Sequence, residues 1–193
     1  MHDSEYILDT NNLEQQTLLD LIRSTSDCSF LTGKAGTGKS TLLRYIHEHS
    51  KKTHVLLAST GIAALNIGGQ TIHSFFKLPL RPLPPEDPDL QRNKIFKSFR
   101  YSSEHRKLIR SLEMIIIDEI SMVRADVIDA IDKILRAYTA RPYQPFGGIQ
   151  MLFVGDLYQL EPVVRAEDRQ ILDVYYRSHY FFAARVFNSA EYD

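Results

Sequence analysis

Apolar residues in this 193-residue chain fall into two kinds of segment. Short, mostly apolar runs bounded by polar or glycine-containing turns are typical of strands that are buried on both faces of a sheet. Longer segments repeat apolar residues every three or four positions, which is the spacing of one helix face. Because such strands alternate with helices, the pattern predicts an α/β fold with a mostly parallel β-sheet flanked by helices. The predicted strands cover residues 28–32, 54–59, 113–118 and 150–154, and the predicted helices begin near residue 12 and cover residues 39–49, 61–66 and 124–138.

One stretch interrupts this alternation. Residues 79–88 contain five prolines, which cannot continue a central strand or a helix and favour an extended, polyproline-like path. We therefore predict that the chain leaves the core here as an insertion. Residues 91–110 carry seven Lys or Arg against one Glu, with Phe96, Phe99 and Tyr101 between them. This segment is either a nucleic-acid contact, with cations on phosphates and rings on bases, or a solvated basic face.

Composition narrows the class of protein. With 44% hydrophobic and 24% charged residues, the chain has the composition of an ordinary soluble globular protein. Its 23 basic and 24 acidic residues nearly cancel, so only a local patch can attract nucleic acid. A lone cysteine, Cys28, suggests a reducing compartment, and we find neither a signal-peptide pattern nor an apolar run of membrane-spanning length. We expect no membrane partner, and a location in the bacterial cytoplasm, associated with the nucleoid, or in the eukaryotic nucleus.

The strongest chemical signal lies between the first predicted strand and the helix over residues 39–49. Residues 33–40 read GKAGTGKS, which matches the phosphate-binding loop G-x-x-x-x-G-K-[ST] at every fixed position. Backbone N–H groups of such a loop close around phosphate oxygens, Lys39 would reach the outer phosphates, and the Ser40 hydroxyl can ligate Mg²⁺. The predicted nucleotide-binding residues of the loop are Gly33, Ala35, Gly36, Thr37, Gly38, Lys39, Ser40 and Thr41.

Two carboxylates end the predicted strand over residues 113–118. In an open parallel sheet the carboxyl ends of the strands form the ligand crevice. There Asp118 would hold Mg²⁺, and Glu119 would orient and deprotonate the attacking water. The alternative is that both acids complement the start of the following helix. Beside a complete phosphate loop the catalytic interpretation is favoured, because a nucleoside triphosphatase needs both a Mg²⁺ carboxylate and a base.

Gln159 follows the next predicted strand, again near its carboxyl end. A glutamine in this position could hydrogen-bond the γ-phosphate and sense its release after hydrolysis. The alternative is a polar residue of a surface turn. Spacing alone leaves both interpretations open.

Five segments together resemble the petite-integration-frequency (Pif) family of DNA helicases, relatives of RecD within superfamily one. They are Glu14-Gln15, GKAGTGKST at 33–41, STGIAALNIGGQTIHSFF at 59–76, IIIDEISMV at 115–123 and GDLYQLEPV at 155–163. The phosphate loop and the acidic pair are shared with many ATPases, whereas the run over residues 59–76 is specific to the family. Leu157 and Glu161 stand where the family usually has phenylalanine and proline.

The resemblance implies a RecA-like P-loop NTPase, a motor domain that binds ATP with Mg²⁺, grips single-stranded DNA and steps 5′-to-3′ at a DNA fork. In this family a glutamine of the first helix reads adenine, and Gln15 corresponds to it by context, with Gln16 as the alternative. Gln15 could instead close a capping box with Asn12. The implied catalytic residues are Lys39, Asp118, Glu119 and Gln159, and the implied metal ligands are Ser40 and Asp118.

The run over residues 59–76 resembles the DNA-binding loop of the family. Short hydroxyl and backbone donors suit phosphates, and an aromatic ring suits base stacking. Without the resemblance, His73 would be read as a structural histidine and Phe75 as a core residue. The residues that the resemblance assigns to DNA are Thr60, Gly61, Thr71, His73 and Phe75, whereas Phe76 stays with the core.

The insertion, residues 77–111, falls where such helicases carry a small wedge that splits the fork. Its candidate DNA contacts are Arg92, Lys94, Lys97 and Arg100. We expect residues 1–193 to form the first RecA-like motor domain and to act as a monomer, because the 30 residues after position 163 cannot build the second domain, which supplies the transition-state arginine. Two other functions stay open: a P-loop enzyme such as a small-molecule kinase, and a nucleotide- and DNA-binding module without independent turnover.

Overall fold

A computed structural model of the chain describes residues 12–34 and 36–188. Its sheet contains five strands: β1 (Ser29–Thr32), β2 (His54–Ala58), β3 (Gln70–Thr71), β4 (Met114–Asp118) and β5 (Gln150–Gly155). They lie in the order β1-β5-β4-β2-β3, and every neighbouring pair is parallel. The predicted parallel sheet is confirmed, and all its carboxyl ends meet at one edge, where open α/β sheets bind their ligands.

The described residues form eight α-helices. They are α1 (Leu13–Ser24), α2 (Lys39–His49), α3 (Gly61–Asn66), α4 (Ile72–Phe76), α5 (Ile95–Ser98), α6 (Ser103–Ser111), α7 (Ala125–Thr139) and α8 (Ala166–Leu172). Helix α1 begins where it was predicted, because Asn12 caps it by accepting the Gln15 N–H at 3.1 Å. Within residues 12–34 and 36–188, no helix has the length and apolarity to cross a membrane.

Both faces of the sheet are buried, because alternate residues of each strand enter different cores. On β4, Met114 and Ile116 belong to a core built with helices α1, α2 and α3. Ile115 and Ile117 belong to a second core, which is built with α4, α7 and the inserted residues. All four side chains are fully buried, which is why the strand reads as an unbroken apolar run.

Helix α7 carries three buried carboxylates at a spacing of three residues. Asp126, Asp129 and Asp132 are each no more than 1% exposed. They accept backbone N–H groups from the insertion, from the chain near residue 185 and from the 3₁₀ turn Pro145–Gly148, respectively. A buried carboxylate is stable only when its oxygens are hydrogen-bonded, so each aspartate fixes one of these segments against the helix.

The insertion packs against the core, and the prediction that it leaves the core is wrong. The Leu83 N–H donates to the Asp126 carboxylate at 2.8 Å, and the Lys133 ammonium donates to the Pro85 carbonyl at 2.5 Å. These bonds tie the proline-rich stretch to α7, although residues 79–87 form neither helix nor strand. The buried apolar residues of the insertion are Leu78, Leu83, Leu90, Ile95, Phe99, Tyr101 and Ile109.

Two of the aromatic residues of the insertion are buried in the protein core. Phe99 and Tyr101 are 2% and 5% exposed, and the Tyr101 hydroxyl donates to the Phe76 carbonyl at 2.7 Å. Base stacking by these two rings is therefore excluded, because their faces pack inside the protein. Phe96 is about half exposed and lies edge-on to Tyr138, with the ring centroids 4.9 Å apart.

Candidate nucleotide and DNA site

The loop between β1 and α2 has the backbone of a phosphate-binding loop. Gly36 and Gly38 have φ angles of +79° and +85°, a left-handed conformation that glycine adopts without strain. The Thr37 hydroxyl donates to the Lys34 carbonyl at 2.8 Å and closes the loop on itself. Ala35 lies outside the described residues. Gly38 caps α2, so the loop leads directly into the positive end of that helix.

Lys39 is held by the loop that precedes it. Its ammonium donates to the carbonyls of Gly33 and Lys34 at 2.5 and 2.8 Å. The side chain therefore curls back over the loop, with its positive charge beside the backbone that would enclose phosphates. Ser40 follows in the first turn of α2, where its hydroxyl borders the same space.

Asp118 and Glu119 stand at the carboxyl end of β4, across from the loop. The Glu119 N–H donates to the Asp118 carboxylate at 2.9 Å, and Glu119 has a positive φ of +51°, which is uncommon for a residue with a side chain. The alternative role as helix-start acids is not supported, because α7 begins only at Ala125, and the Glu119 side chain does not cap the 3₁₀ turn that follows it.

Both carboxyl groups are more basic than usual. Burial raises the pKa of Asp118, and the Glu119 N–H and the nearby Lys39 ammonium oppose that rise. Burial and the neighbouring Asp118 charge raise the pKa of Glu119. A carboxylate whose proton affinity is raised is better suited to accept a proton from water.

One cavity of about 430 Å³ brings the three predicted motifs together. The predicted residues that line it are Gly36, Gly38, Lys39, Ser40, Thr41, Asp118, Glu119 and Gln159. Gln159 is exposed and lies on a turn whose Tyr158 N–H donates to the Asp156 carboxylate at 3.0 Å. Because Ser40 and Asp118 border one space with hydroxyl and carboxylate oxygens, this donor set fits Mg²⁺.

Sequence reasoning missed three residues of this cavity: Ser121, Gly155 and Asp156. Gly155 ends β5 beside the turn after β4, where an added Cβ would lie 3.0 Å from an Ile120 methyl group. Asp156 is 6% exposed, and its position after a buried strand was the available signal.

Gln15 does not line the cavity. Its backbone N–H bonds to Asn12, which is half of the capping box considered above, but its side-chain oxygen is buried and makes no hydrogen bond within the described part of the chain. Gln16 is exposed. An unpaired buried amide oxygen is costly, so the Gln15 side chain is poised to accept a donor such as an amino group.

The predicted DNA residues cluster at the starts of α3 and α4, at the same edge of the sheet. Thr60 caps α3 by accepting the Ala63 N–H, and Thr71 caps α4 by accepting the Ser74 N–H, both at 3.2 Å. Gly61 is exposed at the first position of α3. His73 is half-buried, and burial together with the Arg124 charge lowers its pKa.

Phe75 is the clear error among the predicted DNA contacts. Its side chain is fully buried, with its ring 4.8 Å from that of Phe76 and 4.7 Å from that of His105. Ile72, Phe75 and Phe76 share the inward face of α4 because residues three and four apart lie together on a helix. No face of the Phe75 ring is left for a base.

The four predicted cations of the insertion are all exposed. Arg92, Lys94 and Lys97 lie in or near α5, and Arg100 lies just before α6. The structure does not bring them into the nucleotide cavity. They form a basic surface on the segment that α7 holds.

A glycine-bearing phosphate loop facing an acidic strand end on a parallel sheet defines a RecA-like P-loop nucleotide-binding fold. The family model for PIF1-like helicases matches residues 10–186. The chain belongs to the PIF1-like helicase family, which confirms the resemblance inferred from the motifs.

Relatives agree with this assignment. The ATP-dependent DNA helicase PIF1 of Saccharomyces cerevisiae is 39% identical over 161 residues, which cover 81% of this chain and 18% of the yeast protein. The crystal structure of Pif1 helicase from Bacteroides in complex with ADP-AlF3 and single-stranded DNA matches with a TM-score of 0.82 and 42% identity, covering 91% of this chain and 39% of that one. A structure that describes DNA unwinding at forked duplex DNA by two coordinating Pif1 helicases matches with a TM-score of 0.84 and 42% identity, covering 94% of this chain and 41% of that one. The chain therefore spans less than half the length of each of these proteins.

Proposed function

We propose that this chain is the ATP-hydrolysing first motor domain of a 5′-to-3′ DNA helicase, which couples ATP turnover to movement along single-stranded DNA. The observation that carries the proposal is the single cavity shared by the phosphate loop, the acidic pair and Gln159. A complex of the Bacteroides relative with ADP-AlF3 and single-stranded DNA supports both ligands. The small-molecule kinase alternative is not retained, because the family is that of helicases.

The proposed chemistry assigns one task to each group. Lys39 and the loop N–H groups neutralise the outer phosphates, and Ser40 and Asp118 hold Mg²⁺, which supplies further charge neutralisation when it is bound. Glu119 accepts the proton of the attacking water. Gln159 hydrogen-bonds the γ-phosphate, and the buried oxygen of Gln15 accepts the adenine amino group.

For DNA, we propose that Thr60, Gly61, Thr71 and His73 contact the strand at the sheet edge. The exposed cations of the insertion, Arg92, Lys94, Lys97 and Arg100, contact phosphates near the fork. Residues 77–111 would then act as a wedge that rests on the motor core. We keep a monomer as the proposed state. Light scattering in the presence of forked DNA measures the mass of the complex and would detect a second bound copy.

The test is ATPase activity with and without single-stranded DNA. It should be run on residues 1–193 and on a C-terminally extended protein, each beside its Glu119→Gln variant. The proposal is supported if DNA stimulates ATP turnover by the longer protein and the Glu119→Gln variant lacks that turnover. Nucleotide and DNA binding by residues 1–193 without turnover would instead support the second candidate, a binding module without independent turnover, which the partial coverage of the relatives favours.

A further inference from the structure

A cavity of about 500 Å³ opens at the edge of the sheet opposite the nucleotide site. It lies between the last turns of α1 and α2 and is bounded by residues 50–52, which lead into β2. Its volume is within the roughly 300–1,000 Å³ that is usual for ligand pockets. The residues that line it are separate from those of the nucleotide cavity and from the proposed DNA contacts, so a ligand bound here would be a further one.

The buried residues that line this cavity are apolar. Ile22 and Ile46 are 3% and 2% exposed and belong to the core between the sheet and these helices, and the partly buried Leu19 packs against the same core. Tyr45 also borders the cavity, with one face of its ring stacked on His49 at a centroid distance of 4.1 Å. A ligand that enters therefore reaches side chains of the hydrophobic core, which favours one large apolar group.

The exposed side chains around this cavity are basic. Arg23, His49 and Lys51 are exposed, and the half-buried Lys52 lies beside them. Lys52 is fixed in place, because its ammonium donates to the Thr25 carbonyl at 2.6 Å. Arg23 and Lys51 form no ion pair among residues 12–34 and 36–188. Their charges are therefore available to an acidic ligand.

Basic residues are common in the last turn of a helix, where they complement the free carbonyl groups. That role accounts for Arg23 and Lys52, but it does not account for an apolar opening between the charges. The acids in the second halves of the same helices, Asp20 and Glu48, are exposed and lie outside the lining. Glu113, which attracts the Lys52 ammonium, already accepts a backbone N–H at 2.8 Å.

We propose that this cavity is a docking site for an acidic segment of a partner protein, which inserts one large apolar side chain while its carboxylates meet Arg23 and Lys51. An apolar anchor among acidic residues complements both the core residues and the basic rim. A nucleic-acid strand fits less well, because it needs a groove that follows its phosphates and open ring faces for its bases. This site is a single concavity, and one face of the Tyr45 ring is already covered.

The first test concerns charge and uses fluorescence anisotropy. The probe is a fluorescein-labelled peptide in which one phenylalanine lies among aspartates and glutamates. We expect the double variant Arg23→Gln with Lys51→Gln to bind it about threefold to tenfold more weakly, the effect of losing two exposed charge contacts. Lys107→Gln with Arg169→Gln, an exposed lysine and arginine outside the cavity, is the matched control and should bind like the parent.

The second test concerns the apolar anchor and uses the same peptide with serine in place of phenylalanine. The parent should bind the serine peptide about tenfold more weakly, because the burial of a phenylalanine side chain is lost. Leu19→Ser should reduce this ratio, whereas Leu21→Ser, on the same helix but outside the lining, should keep it. Thermal melting shows whether each variant is folded, and Tyr45→Ser, on α2, gives the same readout if Leu19→Ser is not.

Failure of the parent to bind the phenylalanine peptide would overturn the docking site, as would equal affinity for the two peptides or equal weakening in the charge control. A dT oligonucleotide that displaces the peptide at a lower concentration than unlabelled peptide does would identify nucleic acid as the occupant and would also overturn it. None of these outcomes depends on the proposed ATPase function, which uses a different cavity.

Discussion

At the scale of single residues, the position of Lys39 explains why the loop is suited to phosphate. Its ammonium is bonded to two carbonyls of its own loop, so the charge is held beside the backbone that would enclose phosphates. Pre-positioning of this kind reduces the rotamer entropy that a long side chain loses on binding.

Replacing Lys39 by Ala should therefore weaken nucleotide binding. A charge-assisted hydrogen bond contributes about 1.5–3 kcal/mol, which corresponds to roughly 10-fold to 150-fold in affinity. Titration with a fluorescent ATP analogue measures the change. Lys51→Ala, an exposed lysine near the opposite end of α2, is the control and should bind like the parent. Unchanged affinity of Lys39→Ala would remove the loop from the nucleotide site.

Glu119→Gln in a C-terminally extended protein should bind Mg-ATP and lose most hydrolysis. The amide keeps the size and polarity of the side chain but cannot accept the proton of the attacking water. Single-turnover kinetics separate binding from chemistry, and parent-rate hydrolysis by this variant would place the base on another residue.

The pH profile of the same enzyme gives a second readout. Burial and Asp118 raise the pKa of Glu119 above its usual 4.5, and the base acts only when it is ionised. Turnover of the parent should therefore fall as pH decreases through a midpoint above 4.5, whereas the residual rate of Glu119→Gln should keep only the contribution of Asp118, whose pKa is also raised.

Phe75 shows where sequence reasoning at this scale reaches its limit. Without the family resemblance Phe75 was interpreted as a core residue, and the resemblance overrode that interpretation. The ring is fully buried, so the interpretation without the resemblance was correct. Thr60 and His73 come from the same segment and lie half-buried at the sheet edge, and their contact with DNA stays a prediction.

At the scale of elements, α7 connects parts of the chain that no local pattern relates. Asp129 accepts the N–H groups of Arg185 and Val186 and the hydroxyl of Tyr176, at 2.8 to 3.1 Å. The residues after β5 therefore depend on a helix side chain about 56 positions earlier for their attachment.

Asp129→Ala should lower the free energy of unfolding by about 2–5 kcal/mol, because each buried donor left unsatisfied costs about 1–3 kcal/mol. Asp129→Asn should cost less, since burial already raises the pKa of this carboxyl group and the amide keeps one acceptor oxygen. Urea denaturation measures both. Asp20→Ala on the exposed face of α1 is the control and should stay within about 0.5 kcal/mol of the parent.

Elements with a clear apolar period could be predicted from the sequence. Very short elements, and contacts between distant parts of the chain, could not. The strands β2, β4 and β5 and the helices α2, α3 and α7 follow directly from apolar spacing. β3 has two residues and α5 has four, which is too short for a period to be visible. The insertion was misjudged because its prolines indicate an extended path and say nothing of where that path packs, whereas its apolar residues are buried in the core with α7.

The exposed cations of the insertion can be tested as a group. If Arg92, Lys94, Lys97 and Arg100 contact phosphates, their replacement by Ala should weaken single-strand binding. The slope of log affinity against log salt should become shallower by up to roughly 0.7 per lost contact. Arg23→Ala and Lys51→Ala, at the opposite edge of the sheet, should leave the slope unchanged. An unchanged slope in the insertion variant would identify a solvated basic face.

At the scale of the whole molecule, both ligands of the proposed function meet one edge of one sheet. Glu119 follows β4 on the nucleotide side, and Arg124, five residues later, lies beside the proposed DNA residues Thr60 and His73. Between them lie the 3₁₀ turn Ile120–Met122 and Val123. The phosphate site and the DNA edge are therefore joined by a short covalent path.

Residues 1–193 alone should not unwind DNA. The described residues form one RecA-like sheet, and stepping needs two domains that close and open around ATP, so a single unit has nothing to close against. In related phosphoryl-transfer systems an arginine from outside the loop accelerates turnover by about 10³–10⁵-fold. Here we expect that arginine to come from a second motor domain, so the ATPase activity of residues 1–193 should be very slow.

The measurement is strand separation on a 5′-tailed duplex, with the C-terminally extended helicase and its Lys39→Ala variant run in parallel. The extended protein should unwind, its variant should not, and catalytic unwinding by residues 1–193 would show that one RecA-like unit is sufficient.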